Sequence, residues 1–86
     1  MKITSPDMLS QALKNARREQ HLTQNTTAEL AGIKQATVSG FENHPERSQI
    51  ETLFKLLSAL ELELYVGDRE STVGITGNDE GWDQEW

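Results

Sequence analysis

The stretch from Leu22 to Asn43, LTQNTTAELAGIKQATVSGFEN, leaves a chain of this size little choice of fold. Thr23 stands where a helix needs a cap, its hydroxyl able to accept from one of the amide groups that a helix start leaves unpaired. A short helix over Gln24 to Ala31 follows, and Gly32 supplies the positive φ of a sharp stop. Ala28, in the middle of that helix, has no bulk to hold a second helix away. Two short helices joined by a tight turn and crossing closely make a helix-turn-helix. Thr26 and Thr27 are β-branched, so the expected core under the first of the two is thin.

The second helix is predicted from Gln35 to about Glu42. Val38 and Phe41, with Ile33 just before the helix, recur at helical spacing and belong to the core. Gln35, Ala36, Thr37, Ser39 and Gly40 then face outward, a small, polar and nearly uncharged surface. Such side chains suit the major groove: glutamine pairs with adenine through two hydrogen bonds, alanine and the threonine methyl touch a thymine methyl, and serine serves either kind of base. Lys34 is a poor helix cap, which makes it a candidate for a phosphate or a guanine edge; the alternative is a solvated charge on a turn. The base-reading candidates are therefore Lys34, Gln35, Ala36, Thr37 and Ser39. Beside them, Thr23, Gln24, Arg18, Asn43 and Arg47 are candidates for backbone phosphates.

In Thr23-Gln24, Ala28, Gly32-Ile33, Gln35, Ser39 and Glu42 the stretch resembles the lambda-repressor and Cro-type (XRE) helix-turn-helix regulators. The later Leu60-Glu61-Leu62-Glu63-Leu64 run and the Trp-terminated tail, with Ile33 to Ser39 and Phe41 to Asn43, resemble more narrowly the HipB-like antitoxins. The resemblance implies that Arg17 pairs with Glu42, the glutamate closing the reading helix, although a phosphate contact is the open alternative for Arg17. It implies a phosphate and buttressing role for Gln24, whose other reading is an exposed polar residue. It also implies a partner, a HipA-like serine/threonine kinase toxin on which Trp86 docks.

Upstream, Ser5-Pro6-Asp7 reads as a helix start, with proline where its missing amide hydrogen costs nothing and an acid at the positive end of the dipole. Leu9, Ala12, Leu13 and Ala16 give this helix one apolar stripe to about Gln20. Downstream, Ser48 and Glu51 have the spacing of a capping box. Ile50, Leu53, Phe54, Leu57 and Leu60 then form the expected core face of another helix, with Leu56 off the stripe as a candidate second surface. From Leu60 the period changes to two, placing Leu62, Leu64 and Val66 on one face of a strand. A lone strand cannot satisfy its backbone, so the simplest partner is the same strand of a second copy across a twofold axis. The rival is a helix that runs on through this segment.

Net charge is −6, which argues against a nucleic-acid partner until its distribution is read. Asp68, Glu70, Asp79, Glu80, Asp83 and Glu85 stand against Arg69 alone, so residues 68–86 carry −5 and residues 1–67 only −1. Phosphate affinity must come from placement rather than bulk charge, and a monomer should bind weakly. The tail itself is acidic and aperiodic, a composition that does not pack alone. Its tryptophans, Trp82 and Trp86, are the only two in the chain and suit a partner's pocket.

The chain holds no cysteine, which removes disulfides and thiolate metal sites and suits a cytoplasmic location. No segment reaches the apolar length of a signal peptide or membrane span. His21 and His44 lack partners at ligand spacing, and nothing pairs a nucleophile with a base, so neither cofactor nor enzymatic activity is expected. The expected fold is all-α: a lambda-repressor-like helix-turn-helix domain of four to five helices over residues 1–59, a strand over 60–67 that pairs across a homodimer, and a flexible acidic tail over 68–86. The expected function is a repressor of its own operon, bound to double-stranded operator DNA and acting as antitoxin of the kinase. A stand-alone phage-like or metabolic repressor, or an interaction module that touches no DNA, are the alternatives.

Overall fold

The computed structural model describes residues 2–69. Its elements are α1 (Pro6–Glu19), α2 (Gln24–Ala31), α3 (Gln35–Asn43), a 3-10 turn (Pro45–Arg47) and α4 (Ile50–Ala59). The described part is all-helical. Most of the acidic tail, with Trp82 and Trp86, lies outside the described residues.

The starts of α1 and α2 follow the local chemistry. Ser5 Oγ accepts from the Met8 N–H at 3.1 Å, and Thr23 Oγ1 accepts from the Thr26 N–H at 3.0 Å, each satisfying one orphan donor. The ends of α1, α2 and α4 share one device. After α2, Gly32 takes φ +74°, and the Ile33 N–H reaches back to the Ala28 carbonyl at 3.0 Å. After α1 and α4 the same left-handed position is filled by His21 at φ 60° and Glu61 at φ 58°. There Leu22 donates to Arg17 at 3.0 Å and Leu62 to Leu57 at 2.8 Å. These are Schellman closures, two of them built without glycine.

Leu13 from α1, Ala28 from α2, Val38 and Phe41 from α3, and Leu53, Leu56, Leu57 and Leu60 from the last helix and its cap make one buried core. Leu9, Ala16, Leu22, Ala31 and Ile33 pack around it. Each large apolar side chain so buried contributes about 1.5–3 kcal/mol. Thr27 also enters this core at 1% exposure, and its hydroxyl finds no hydrogen-bond partner.

Three details of the sequence reading are corrected. The α4 stripe is rotated: Leu56 is buried, while Ile50 and Phe54 are 69% and 52% exposed. Leu53, Leu56, Leu57 and Leu60 also repeat at three and four, so periodicity alone admitted both faces. Ser48 does not cap α4. Its N–H closes the 3-10 turn on the Pro45 carbonyl at 3.0 Å, which delays the helix by one residue and leaves Gln49 at the cap without a side-chain bond. Glu51 instead approaches Lys55 at 3.6 Å. Finally, Leu60 is not the first residue of a strand but the C-cap of α4, buried in the core.

The helix does not run on through the alternating segment, because the left-handed Glu61 turns the chain away. Among the described residues no strand forms in the single chain, since an isolated segment has no second ladder to bond. Leu62, Leu64, Tyr65 and Val66 are exposed. Phe54, Leu57, Leu62 and Leu64, with Ser58 and Glu63, line one open groove beside the end of α4.

Candidate nucleic-acid interface

The candidate reading surface is set by how α2 and α3 are locked. Ala28, buried at the crossing, lets α2 pack closely on α3. Val38 and Phe41 anchor the inner side of α3 and leave Gln35 and Ala36 exposed. Lys34, also exposed, is the N-cap of α3 and makes no side-chain capping bond.

A chain of side-chain bonds runs from the interior to this surface. Arg17 Nε donates to Glu42 Oε2 at 2.7 Å, Arg17 Nη2 to Glu42 Oε1 at 3.1 Å, and Arg17 Nη1 to the Leu22 carbonyl at 2.8 Å. All three nitrogens of Arg17 therefore donate within the protein, in a fork matched to the carboxylate. Glu42 Oε1 accepts a further bond, from Gln24 Nε2 at 2.9 Å. Gln24 Oε1 in turn accepts from Gln35 Nε2 at 2.6 Å. The identity of Gln24 as the bridge between the ion pair and the exposed start of α3 had no signal in spacing, since its partners lie eleven and eighteen residues away.

The side chain of Glu42 is 5% exposed. Burial alone would raise its pKa, but the hydrogen bonds from Arg17 and Gln24 and the positive charges of Arg17 and Lys14 outweigh it and hold the carboxyl below its ordinary value. The group is ionised at neutral pH, and as a carboxylate it only accepts.

Of the remaining candidates, Asn43 Nδ2 donates to Ser39 Oγ at 3.2 Å, leaving the serine proton free to donate elsewhere. Thr37 is half-buried and, with Gly40, faces a groove between α3 and α4 that Arg47 also lines. These two, and the half-buried Ser39, are less outward than their positions on α3 suggested. Arg18 on α1, Thr23 at the cap of α2, Asn43 at the end of α3 itself and Arg47 in the 3-10 turn are exposed. Among the described residues no cluster of histidine and acids could hold a metal, and no helix is long and apolar enough to cross a membrane.

A helix-turn-helix family model matches residues 13–66. The HipB antitoxins of Escherichia coli O6:H1 (strain CFT073) and Escherichia coli (strain K12) are each 43% identical over 70 residues, or 81% of this chain, and these cover 74% and 80% of their own lengths. Among solved structures, a chain of the HipA-HipB-O2-O3 complex matches with TM-score 0.79 at 43% identity, over 81% of this chain and 99% of that one. A chain of the HipB-O4 20mer complex matches with the same values. With an Arg17–Glu42 fork bracing a helix-turn-helix and kinship over most of its length, the chain belongs to the HipB-like antitoxins of the lambda-repressor and Cro-type helix-turn-helix family.

Proposed function

We propose that this chain is a sequence-specific transcriptional repressor that binds operator DNA through α3 and serves as the antitoxin of a HipA-like serine/threonine kinase. It acts in the cytoplasm as a homodimer and represses its own operon. The observation that carries this reading is Gln35, exposed at the start of α3 and braced from behind by Gln24, in a chain whose structural relatives include HipB–operator and HipA–HipB complexes.

In this reading Lys34, Gln35, Ala36, Thr37 and Ser39 meet base edges, and Thr23, Gln24, Arg18, Asn43 and Arg47 meet phosphates. Arg17 and Glu42 hold the frame. Leu62, Leu64 and Val66 line a strand that pairs with its copy in the second subunit, giving each backbone the ladder it lacks alone. Two reading helices then enter successive major grooves of a palindrome. Trp82 and Trp86 anchor the tail on the kinase, and the acids beside them favour a basic partner surface.

A titration of operator duplex with the full chain tests the DNA half of the proposal. Gln35→Ala and Ser39→Ala should each weaken selective binding by about 1–3 kcal/mol. Equal affinity and selectivity in parent and variants would remove α3 as the reading helix. Co-purification with the HipA-like kinase tests the other half, and Trp86→Ala should weaken that complex while leaving operator affinity alone.

A further inference from the structure

We propose that Glu42 is a specificity-determining positioning residue: through Gln24 it fixes which hydrogen-bonding face Gln35 shows to a base, and it selects adenine over guanine. The proposal rests on the reading of α3 as the DNA-reading helix and adds to it a residue that touches no DNA.

One group in the relay, the Glu42 carboxylate, has no donor. A carboxylate can only accept, so Gln24 must meet Glu42 with its amide nitrogen, at 2.9 Å. A primary amide carries its donor at one end and its acceptor at the other. Gln24 is therefore left facing Gln35 with its carbonyl oxygen, and Gln35 must answer with its own nitrogen, at 2.6 Å. That bond uses one of the two hydrogens on Gln35 Nε2. What Gln35 still offers outward is one acceptor, Oε1, and one N–H.

Adenine presents an N6 donor and an N7 acceptor in the major groove, which match that pair; guanine presents O6 and N7, two acceptors, and only one can be satisfied. Arg17 keeps the first member of the relay from turning, because it grips both carboxylate oxygens. Every orientation downstream then follows from a single charged group set behind the surface. Free rotation of the Gln35 amide would erase the distinction, since a glutamine that can turn either way satisfies both purines.

Glu42→Gln frees the relay from its single sense. Arg17 and Gln24 both donate to Glu42 Oε1, so the new amide either keeps its oxygen there or turns its nitrogen there, and in the turned arrangement Gln24 accepts from it and donates to Gln35. Gln35 then accepts from Gln24, with both of its hydrogens outward, the complement of guanine, so the variant no longer holds one face of Gln35 toward the base. The experiment is a competition titration of the full chain against operator duplexes carrying adenine or guanine at each position of a half-site. Gln35→Ala first locates the position that Gln35 reads, as the one where discrimination vanishes. At that position the ratio of adenine to guanine affinities should fall toward unity, by about tenfold, in Glu42→Gln.

Loss of the buried ion pair can also unfold the chain, so Gln24→Leu is measured beside it. This variant keeps the Arg17–Glu42 fork and cuts the relay, and its adenine preference should shrink toward unity. A lost phosphate contact lowers all affinities together and leaves the ratio unmoved, which separates the two roles of Gln24. A parental ratio retained in Gln24→Leu would overturn the relay alone. A parent chain that shows no operator preference would overturn the α3 reading and this inference with it.

Discussion

Arg17 and Glu42, twenty-five residues apart in the chain, close a two-bond fork at 2.7 and 3.1 Å that fastens the end of α1 to the end of α3. Both side chains are largely withdrawn from water, at 11% and 5% exposure. Removing one partner strands the other's charge, whereas removing both does not. Arg17→Met should therefore cost about 3 kcal/mol in urea unfolding, and the double variant Arg17→Met with Glu42→Leu should cost less than Arg17→Met alone.

The same fork makes stability depend on pH with a definite sign. Glu42 titrates below its ordinary value in the folded chain, so folding is favoured by its ionisation. That contribution is fully present above the unfolded-state value, near 4.5, and is lost as pH falls through the lowered folded value. Urea midpoints measured from pH 7 downward should fall in this window, and Glu42→Gln should remove that part of the slope.

Thr27 offers a stabilising change. Its hydroxyl is buried and unpartnered, while valine keeps the branched shape and removes the polar atom. Thr27→Val should raise stability by about 1 kcal/mol, seen as a higher urea midpoint with unchanged slope.

Glu61 holds a left-handed backbone at φ 58° to end α4, where a Cβ is unfavourable. Glu61→Gly should stabilise the chain by roughly 0.5 kcal/mol, the relief of strain being partly offset by the freedom that glycine adds to the unfolded state. Thermal unfolding of the two chains side by side measures it.

The proposed intersubunit strand predicts a coupled loss. Leu64 is exposed and lines the open groove with Phe54 and Leu62, and Leu64→Asp should give a monomer in sedimentation at micromolar concentration. Because two linked reading heads gain avidity without new contacts, operator affinity should fall by about 100-fold. A dimer that survives this change would place the interface elsewhere.

Local signals were readable from spacing alone, whereas the long-range Arg17–Glu42 pair was reached only through the family resemblance. Ser5, Thr23 and Gly32 act through neighbours within five residues, and each sits at the helix boundary its chemistry predicts. Ser48 failed as a cap because Pro45 opened a 3-10 turn that claimed its amide first, a competition that no spacing rule weighs. Leu56 and Phe54 exchanged roles because α4 carries apolar residues on more than one side, and only the position of the other helices decides which side is buried. At the candidate interface, the exposure of Gln35 and Ala36 was legible from period, whereas Thr37, Ser39 and Gly40 are half-buried, and the bracing by Gln24 depends on a crossing of helices that brings distant side chains within bonding range.

Gln20 reaches across from the end of α1 to the Leu60 carbonyl at 2.9 Å. This places a latch at the spot where the chain leaves the helical body, so the exit bearing of the segment just after Leu60 is set from the end of α1. In the proposed dimer that bearing works as a ruler for the distance between the two reading heads. Loosening the latch, as in Gln20→Ala, should widen the range of half-site spacings that the protein tolerates without altering the bases preferred within each.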